Sequence, residues 1–261
     1  FATALVPAIS AARAKKDMSI ANKRVGFSIL ATILIGLPCT AGIFVFAEPI
    51  LKLLFPAQSA GALLLQVSSL AIIFTVLAQT INGALQGLGK VMVPAIAFGV
   101  GVIIKLILNI VLVPIPSIGV NGAAIGTIAC NVVACIIGFS VLKKNMDIKF
   151  KFSKYIIKPI LATVVMSVCS YAIYLGLVSI ISEKIATILA IGVAIIVYAL
   201  AVITLKIFTK EEIFMIPYGQ KLYKILERFG IYKEIENPSD NNSQTPEKKY
   251  YRAKKTIYQN N

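Results

Sequence analysis

Residues 91–113, VMVPAIAFGVGVIIKLILNIVLV, decide the fold. Lys105 is the single charged side chain in this stretch. As a helix rising 1.5 Å per residue it would be about 34 Å long, enough to cross a ~30 Å hydrocarbon layer. Lipid offers backbone N–H and C=O groups no partners, so a spanning segment must bond internally as a helix. The same reading applies outward to residues 25–46, 62–85, 120–142, 156–177 and 185–205. Six such segments have no use in a soluble domain. Hydrophobic residues make up 58% of the 261-residue chain, against about 45–50% in soluble proteins. The expected class is an all-α, polytopic helical membrane protein.

The net charge of +15 invites a nucleic-acid reading, and the placement of the charges rejects it. Counted by segment, Lys and Arg number 5 before residue 25, then 1, 1, 0, 6 and 1 in successive loops, and 11 from Lys206 onward. Read alternately, one side holds 5, 1, 6 and 11 and the other 1, 0 and 1. That asymmetry puts the basic side, with the C-terminus, in the cytoplasm. The expected location is a cell membrane, crossed several times.

Chemistry at a catalytic or metal centre is not expected. The chain has no His, and its four cysteines (Cys39, Cys130, Cys135, Cys169) all fall inside spans without metal-ligand spacing. They read as small buried apolar residues. Trp is also absent, which leaves Tyr, Phe and Lys as interfacial anchors. No paired carboxylates and no nucleophile beside a base occur, so neither an enzyme nor a cofactor is expected.

The ends read differently from the spans. Residues 1–10 are apolar, contain Pro7 and run into a basic loop. They are expected to be the end of a truncated transmembrane helix, in a chain that is the C-terminal piece of a longer protein. After residue 205, Thr209 and Glu212 have the T-x-x-E spacing of a capping box. Lys221, Lys224 and Arg228 then alternate with Leu222, Ile225, Leu226 and Phe229. Residues 206–232 therefore read as a cytoplasmic amphipathic helix on an anionic leaflet. Residues 233–261 are polar and charged and read as a disordered basic tail.

Polar groups kept inside spans need a reason. In the second span Thr75, Gln79, Asn82 and Gln86 recur at steps of four, three and four, on one helical face. Such a stripe faces either a neighbouring helix, through interhelical hydrogen bonds, or a hydrophilic path. In the third span Lys105 and Asn109 lie one turn apart. A mid-bilayer Lys costs roughly 2.5–3.5 kcal/mol, unless it snorkels outward. No Asp or Glu lies in any of the six stretches. The partner of Lys105 is then a segment outside this chain or an anionic substrate. The second and third spans are expected to face each other, or a shared cavity, through Gln79, Asn82, Lys105 and Asn109. Gly122 and Gly126 form GxxxG in the fourth span, a helix-packing signal, with Asn131 mid-span to bond across it. Pro38 and Pro94 are candidate bends.

Four stretches together resemble a known family. Residues 2–17, ATALVPAISAARAKKD, are similar to the cytoplasmic end of the eighth span of lipid II flippases, with T-x-L-x-P-x-x-S before a basic loop. Residues 35–56, IGLPCTAGIFVFAEPILKLLFP, resemble the next span followed by a short amphipathic segment. Residues 83–138 resemble the polysaccharide-flippase pattern, with a G-K turn, Asn109 near a span end and then IGVNGAAI. Residues 209–230 are similar to the tail of the stage V sporulation protein B branch. The resemblance implies a two-lobe fold of 6+6+2 helices around a central cavity, of which this chain would supply most of the second lobe and the extra pair. It implies transport of undecaprenyl-diphosphate-linked sugar precursors, such as lipid II or polysaccharide units, from inner to outer leaflet by alternating access. Implied partners are that lipid-linked oligosaccharide, membrane lipids and the N-terminal lobe, with no nucleic acid. Family site residues are not carried over; Lys105, Asn109, Thr75, Gln79, Asn82, Gln86 and Asn131 are candidates from spacing. A drug/cation antiporter of the same superfamily and a non-transporting scaffold in envelope or spore-coat assembly remain as alternatives.

Overall fold

A computed structural model describes residues 2–14, 18–55, 61–148, 151–209 and 212–213. Of the amphipathic helix expected over 206–232 only residues 206–209 and 212–213 are among them, and the basic tail expected over 233–261 lies outside them. The protein is an all-α, polytopic membrane protein. Its helices are α1 (Ala2–Ala14), α2 (Met18–Val45), α3 (Ala47–Leu54), α4 (Ala62–Gly87), α5 (Met92–Leu112), α6 (Asn121–Asn145), α7 (Lys158–Val178) and α8 (Glu183–Thr204). A π-helical turn, Ser153–Ile157, leads into α7. Six helices are long and apolar enough to cross a membrane.

Neighbours follow one another as α5, α6, α4, α2, α7 and α8, with α1 resting on α4 and α2. Small residues set these seams, because helices in lipid gain little from apolar contact alone and rely on close packing. Gly36 of α2 takes Ile73 and Val76 of α4. Gly138 of α6 takes Ile81 of α4. On α8, Ala186, Ala190 and Ala194 recur every fourth residue, all buried, and α8 pairs with α7. Across these seams Thr32 Oγ1 and Thr80 Oγ1 are 2.8 Å apart, and the Tyr198 hydroxyl donates to Leu34 O at 2.7 Å.

The helix ends sort to two faces. On the basic face Arg13 Nη1 donates to Leu88 O at 2.5 Å, and Ser10 Oγ to Gly87 O at 3.3 Å, joining α1 to the end of α4. There α4 closes in a Schellman turn. Lys90 N–H reaches Leu85 O, Gly89 N–H reaches Gln86 O, and Gly89 takes φ +76°. Lys158 Nζ donates to Leu205 O at 2.8 Å at the end of α8. Thr209 N–H donates to Glu212 Oε2 at 2.9 Å, one arm of a capping box, and Lys154 Nζ meets both Glu212 oxygens at 2.6 Å. On the opposite face the short amphipathic α3 brings Lys52 to Glu48 at 3.0 Å and Glu183 at 3.2 Å. These carboxylates, Glu48 first, hold the Lys52 ammonium above the ordinary lysine range. Phe46 stands edge-on to Tyr174, ring centres 5.7 Å apart.

Candidate functional site

α4 is the hub, packed on α1, α2 and α6. Its apolar and small residues (Ala78, Thr80, Ile81, Gly83, Ala84 and Leu85) are buried against them. The polar stripe takes another side. Gln79 and Gln86 are exposed, and Thr75 and Asn82 half-buried. Thr75 turns its hydroxyl back to Ala71 O at 2.8 Å and is satisfied within its own helix. Among the described residues the side-chain amides of Gln79, Asn82 and Gln86 bond to no side chain or backbone group. The interhelical bond of α4 is made instead by Thr80, one position from the stripe, with Thr32. The spacing of the stripe hides that pair, since a lone Thr in an apolar run looks like filler.

Lys105 and Asn109 sit on the face of α5 that meets α6. A Cβ at Gly126 would collide with Asn109 Oδ1 and lie 3.3 Å from Lys105 Cγ and Lys105 O. One turn away a Cβ at Gly122 would press on Leu112, and across the seam a Cβ at Gly101 would come within 2.7 Å of the Cys130 carbonyl oxygen. Three glycines thus let α5 and α6 approach closely. Sequence reading missed Gly101, because its step of four to Lys105 pairs a small residue with a cation. Asn109 Oδ1 is buried with no hydrogen-bond partner. Lys105 is half-buried and has no ion-pair or hydrogen-bond partner among the described residues.

α5 packs on α6 and scarcely touches α4. Direct apposition of the α4 stripe with Lys105 and Asn109 is therefore not what the structure has. α6 packs against both helices, because it carries small residues toward each: Gly122 and Gly126 toward α5, Gly138 toward α4. Asn131 is buried, and its amide donates back to Thr127 O at 3.0 Å rather than across a seam. Thr127 in turn donates to Ala123 O at 2.9 Å. Among the described residues no group of three or more Cys, Asp or Glu is gathered as for a metal ion.

Among the described residues the arrangement offers unpaired amides on α4 and α5 and, deep in a span, the unpaired ammonium of Lys105. That suits passage of a polar, anionic group through a membrane. The lipid II flippase MurJ family profile matches residues 1–193. The chain belongs to the lipid II flippase family. Among relatives from Bacillus subtilis (strain 168), uncharacterized membrane protein YabM is 31% identical over 238 residues, covering 87% of this chain and 43% of that protein. Lipid II flippase MurJ is 26% identical over 157 residues, covering 58% and 28%. Stage V sporulation protein B is 25% identical over 153 residues, covering 59% and 29%. The chain thus spans less than half the length of the curated relatives it matches.

Proposed function

We propose that this chain forms one half of a flippase that carries diphosphate-linked sugar precursors from the inner to the outer leaflet of the bacterial cell membrane. In this reading the second lobe and the extra helix pair are present here, and a first lobe rocks against them around a site between the two. The observation that carries it is the set of polar groups left unpaired inside the spans of a lipid II flippase family member: Gln79, Asn82, Gln86, Lys105 and Asn109 Oδ1.

The chemistry fits the roles. A diphosphate entering a low-dielectric cavity loses hydration that only fixed positive charge and hydrogen bonds replace. Lys105 supplies the charge, and one turn along the Asn109 side chain offers amide N–H donors for a phosphate oxygen. The amides of Gln79, Asn82 and Gln86 each offer donors and acceptors, which match sugar hydroxyls of either polarity. An antiporter of cations would need an intramembrane carboxylate, which the six apolar stretches of this chain do not supply. A scaffold would gain nothing from unpaired amides held on an open face.

The test is translocation of fluorescent lipid II in proteoliposomes made with the full-length protein. Lys105→Ala should lower the flipping rate at least tenfold, the equivalent of about 1.4 kcal/mol, with insertion and yield unchanged. An unchanged rate would mean that Lys105 only snorkels and that the first lobe supplies all the charge.

A further inference from the structure

A second feature lies on the side of α4 opposite its polar stripe, where Ile81 stands about 200° around the helix from Gln79. Here α2, α4, α6 and the π-helical entry to α7 enclose a groove of about 760 Å³. Its wall is apolar: Ile33 from α2, Phe74 and Ile81 from α4, and Ile136 and Phe139 from α6. Lys143 is the cation in its lining. That residue sits in the last turn of α6, exposed, on the basic face. Among the described residues it has no ion-pair or hydrogen-bond partner. The neighbouring Lys154 and Lys158 are already engaged by Glu212 and by the end of α8.

Depth selects the occupant. From Phe74 to Ile81, and again from Ile136 to Lys143, seven residues cover about 10 Å along the helix axis. One leaflet of a ~30 Å hydrocarbon layer is about 15 Å deep. The groove therefore runs from the head-group level of the basic face, at Lys143 in the last turn of α6, to about the bilayer midplane, at Phe74 in the middle of α4. A dry apolar cavity takes apolar ligands, and a chain of single-leaflet length fills this one where a long polyprenyl tail would overrun it. Its open side, at Ile136 and Phe152, is exposed as lateral entry from lipid requires. We infer that the groove binds one acyl chain of an anionic phospholipid of the leaflet on the basic face, with the lipid phosphate held by Lys143.

The test uses the full-length protein in nanodiscs that carry a trace of phosphatidylglycerol or phosphatidylcholine with a diazirine in one acyl chain. After illumination, labelled peptides are mapped. Peptides containing Ile33, Ile136 and Phe139 should be labelled by both. Phosphatidylglycerol should label them roughly five-fold more at equal mole fraction, the preference expected of one lysine beside an anionic head group. Lys143→Ala should abolish that preference, Lys144→Ala should keep it, and Ile33→Trp should block labelling by either lipid. Equal labelling by the two lipids, or equal loss in both lysine variants, would overturn the site. So would absence of label from the groove, which would mean that protein covers it.

Discussion

At the scale of single residues, Gly126 shows how little room the α5–α6 seam has. A methyl group there would strike Asn109 Oδ1, and the seam would have to open. Gly126→Ala should destabilise the protein by about 1–3 kcal/mol, the usual cost of overpacking a tight contact. Asn109→Ala removes the struck atom, so the double variant should recover most of that loss. Thermal unfolding in detergent, followed as a two-by-two cycle, measures the coupling; additive losses would show that the clash is relieved elsewhere. Lys206 is a second strained position, with φ +47° at the end of α8. There the Lys206 N–H bonds to Ile203 O and the Ile207 N–H to Val202 O, a Schellman turn closed without glycine. Left-handed backbone costs an L-residue about 1–2 kcal/mol, so Lys206→Gly should raise stability slightly, by about 0.5 kcal/mol after the added chain entropy of glycine. A fall in melting temperature would mean that the Lys206 side chain earns its place by another contact.

At the scale of elements, the exit of α8 is held by the entry of α7. The π-helical turn at 153–157 presents Lys154 to Glu212, and Lys158 caps the α8 carbonyls one turn later. The Lys154–Glu212 side chains are only 18% and 14% exposed. Removing one partner leaves a charge poorly hydrated, which costs up to about 3 kcal/mol. Glu212→Gln should therefore speed hydrogen exchange over residues 205–209, and the reversed pair Lys154→Glu with Glu212→Lys should restore protection in part. Protection unchanged in Glu212→Gln would show that the Lys158 cap holds the exit alone. This scale also separates what the sequence discloses from what it withholds. Hydropathy reports contact with lipid, and the stretches read as 62–85 and 91–113 overlap α4 (Ala62–Gly87) and α5 (Met92–Leu112). It starts α2 at 25, whereas the helix begins at Met18, because Asn22, Lys23 and Arg24 continue the helix beyond the apolar layer. It says nothing of the π turn before α7. The GxxxG of α6 announces close packing, but neither its partner nor the direction of Lys105 is encoded locally. Which helix fills the space beside Gly126 is decided by the whole set of seams. The α4 stripe was legible because polar spacing is a one-helix property. The Thr32–Thr80 bond was not, since it joins residues 48 apart.

At the scale of the whole molecule, charge and contact tell the same story about sidedness. The segments rich in Lys and Arg meet one another at one end: α1 with the α4–α5 turn through Arg13 and Leu88, and the α7 entry with the α8 exit through Lys158 and Leu205. The segments poor in Lys and Arg meet at the other, where Lys52 bridges Glu48 and Glu183. An odd number of crossings anywhere would have put one basic segment on the wrong face and left such contacts impossible. The basic excess predicts that the basic face stays inside, because Lys and Arg in short loops resist export. Single cysteines placed in a cysteine-free background test this directly. With a membrane-impermeant maleimide and intact cells, Ser117→Cys and Ser182→Cys, both exposed on the acidic-bridged face, should label at once. Cysteines replacing Lys149 and Lys221 should label only after the membrane is permeabilised. Labelling of Lys149→Cys from outside would invert the topology, and with it the direction of the transport proposed above. Labelling of all four sites from outside would mean that the cells leak, which a cytosolic control protein detects, so the orientation stands or falls on the pairwise contrast.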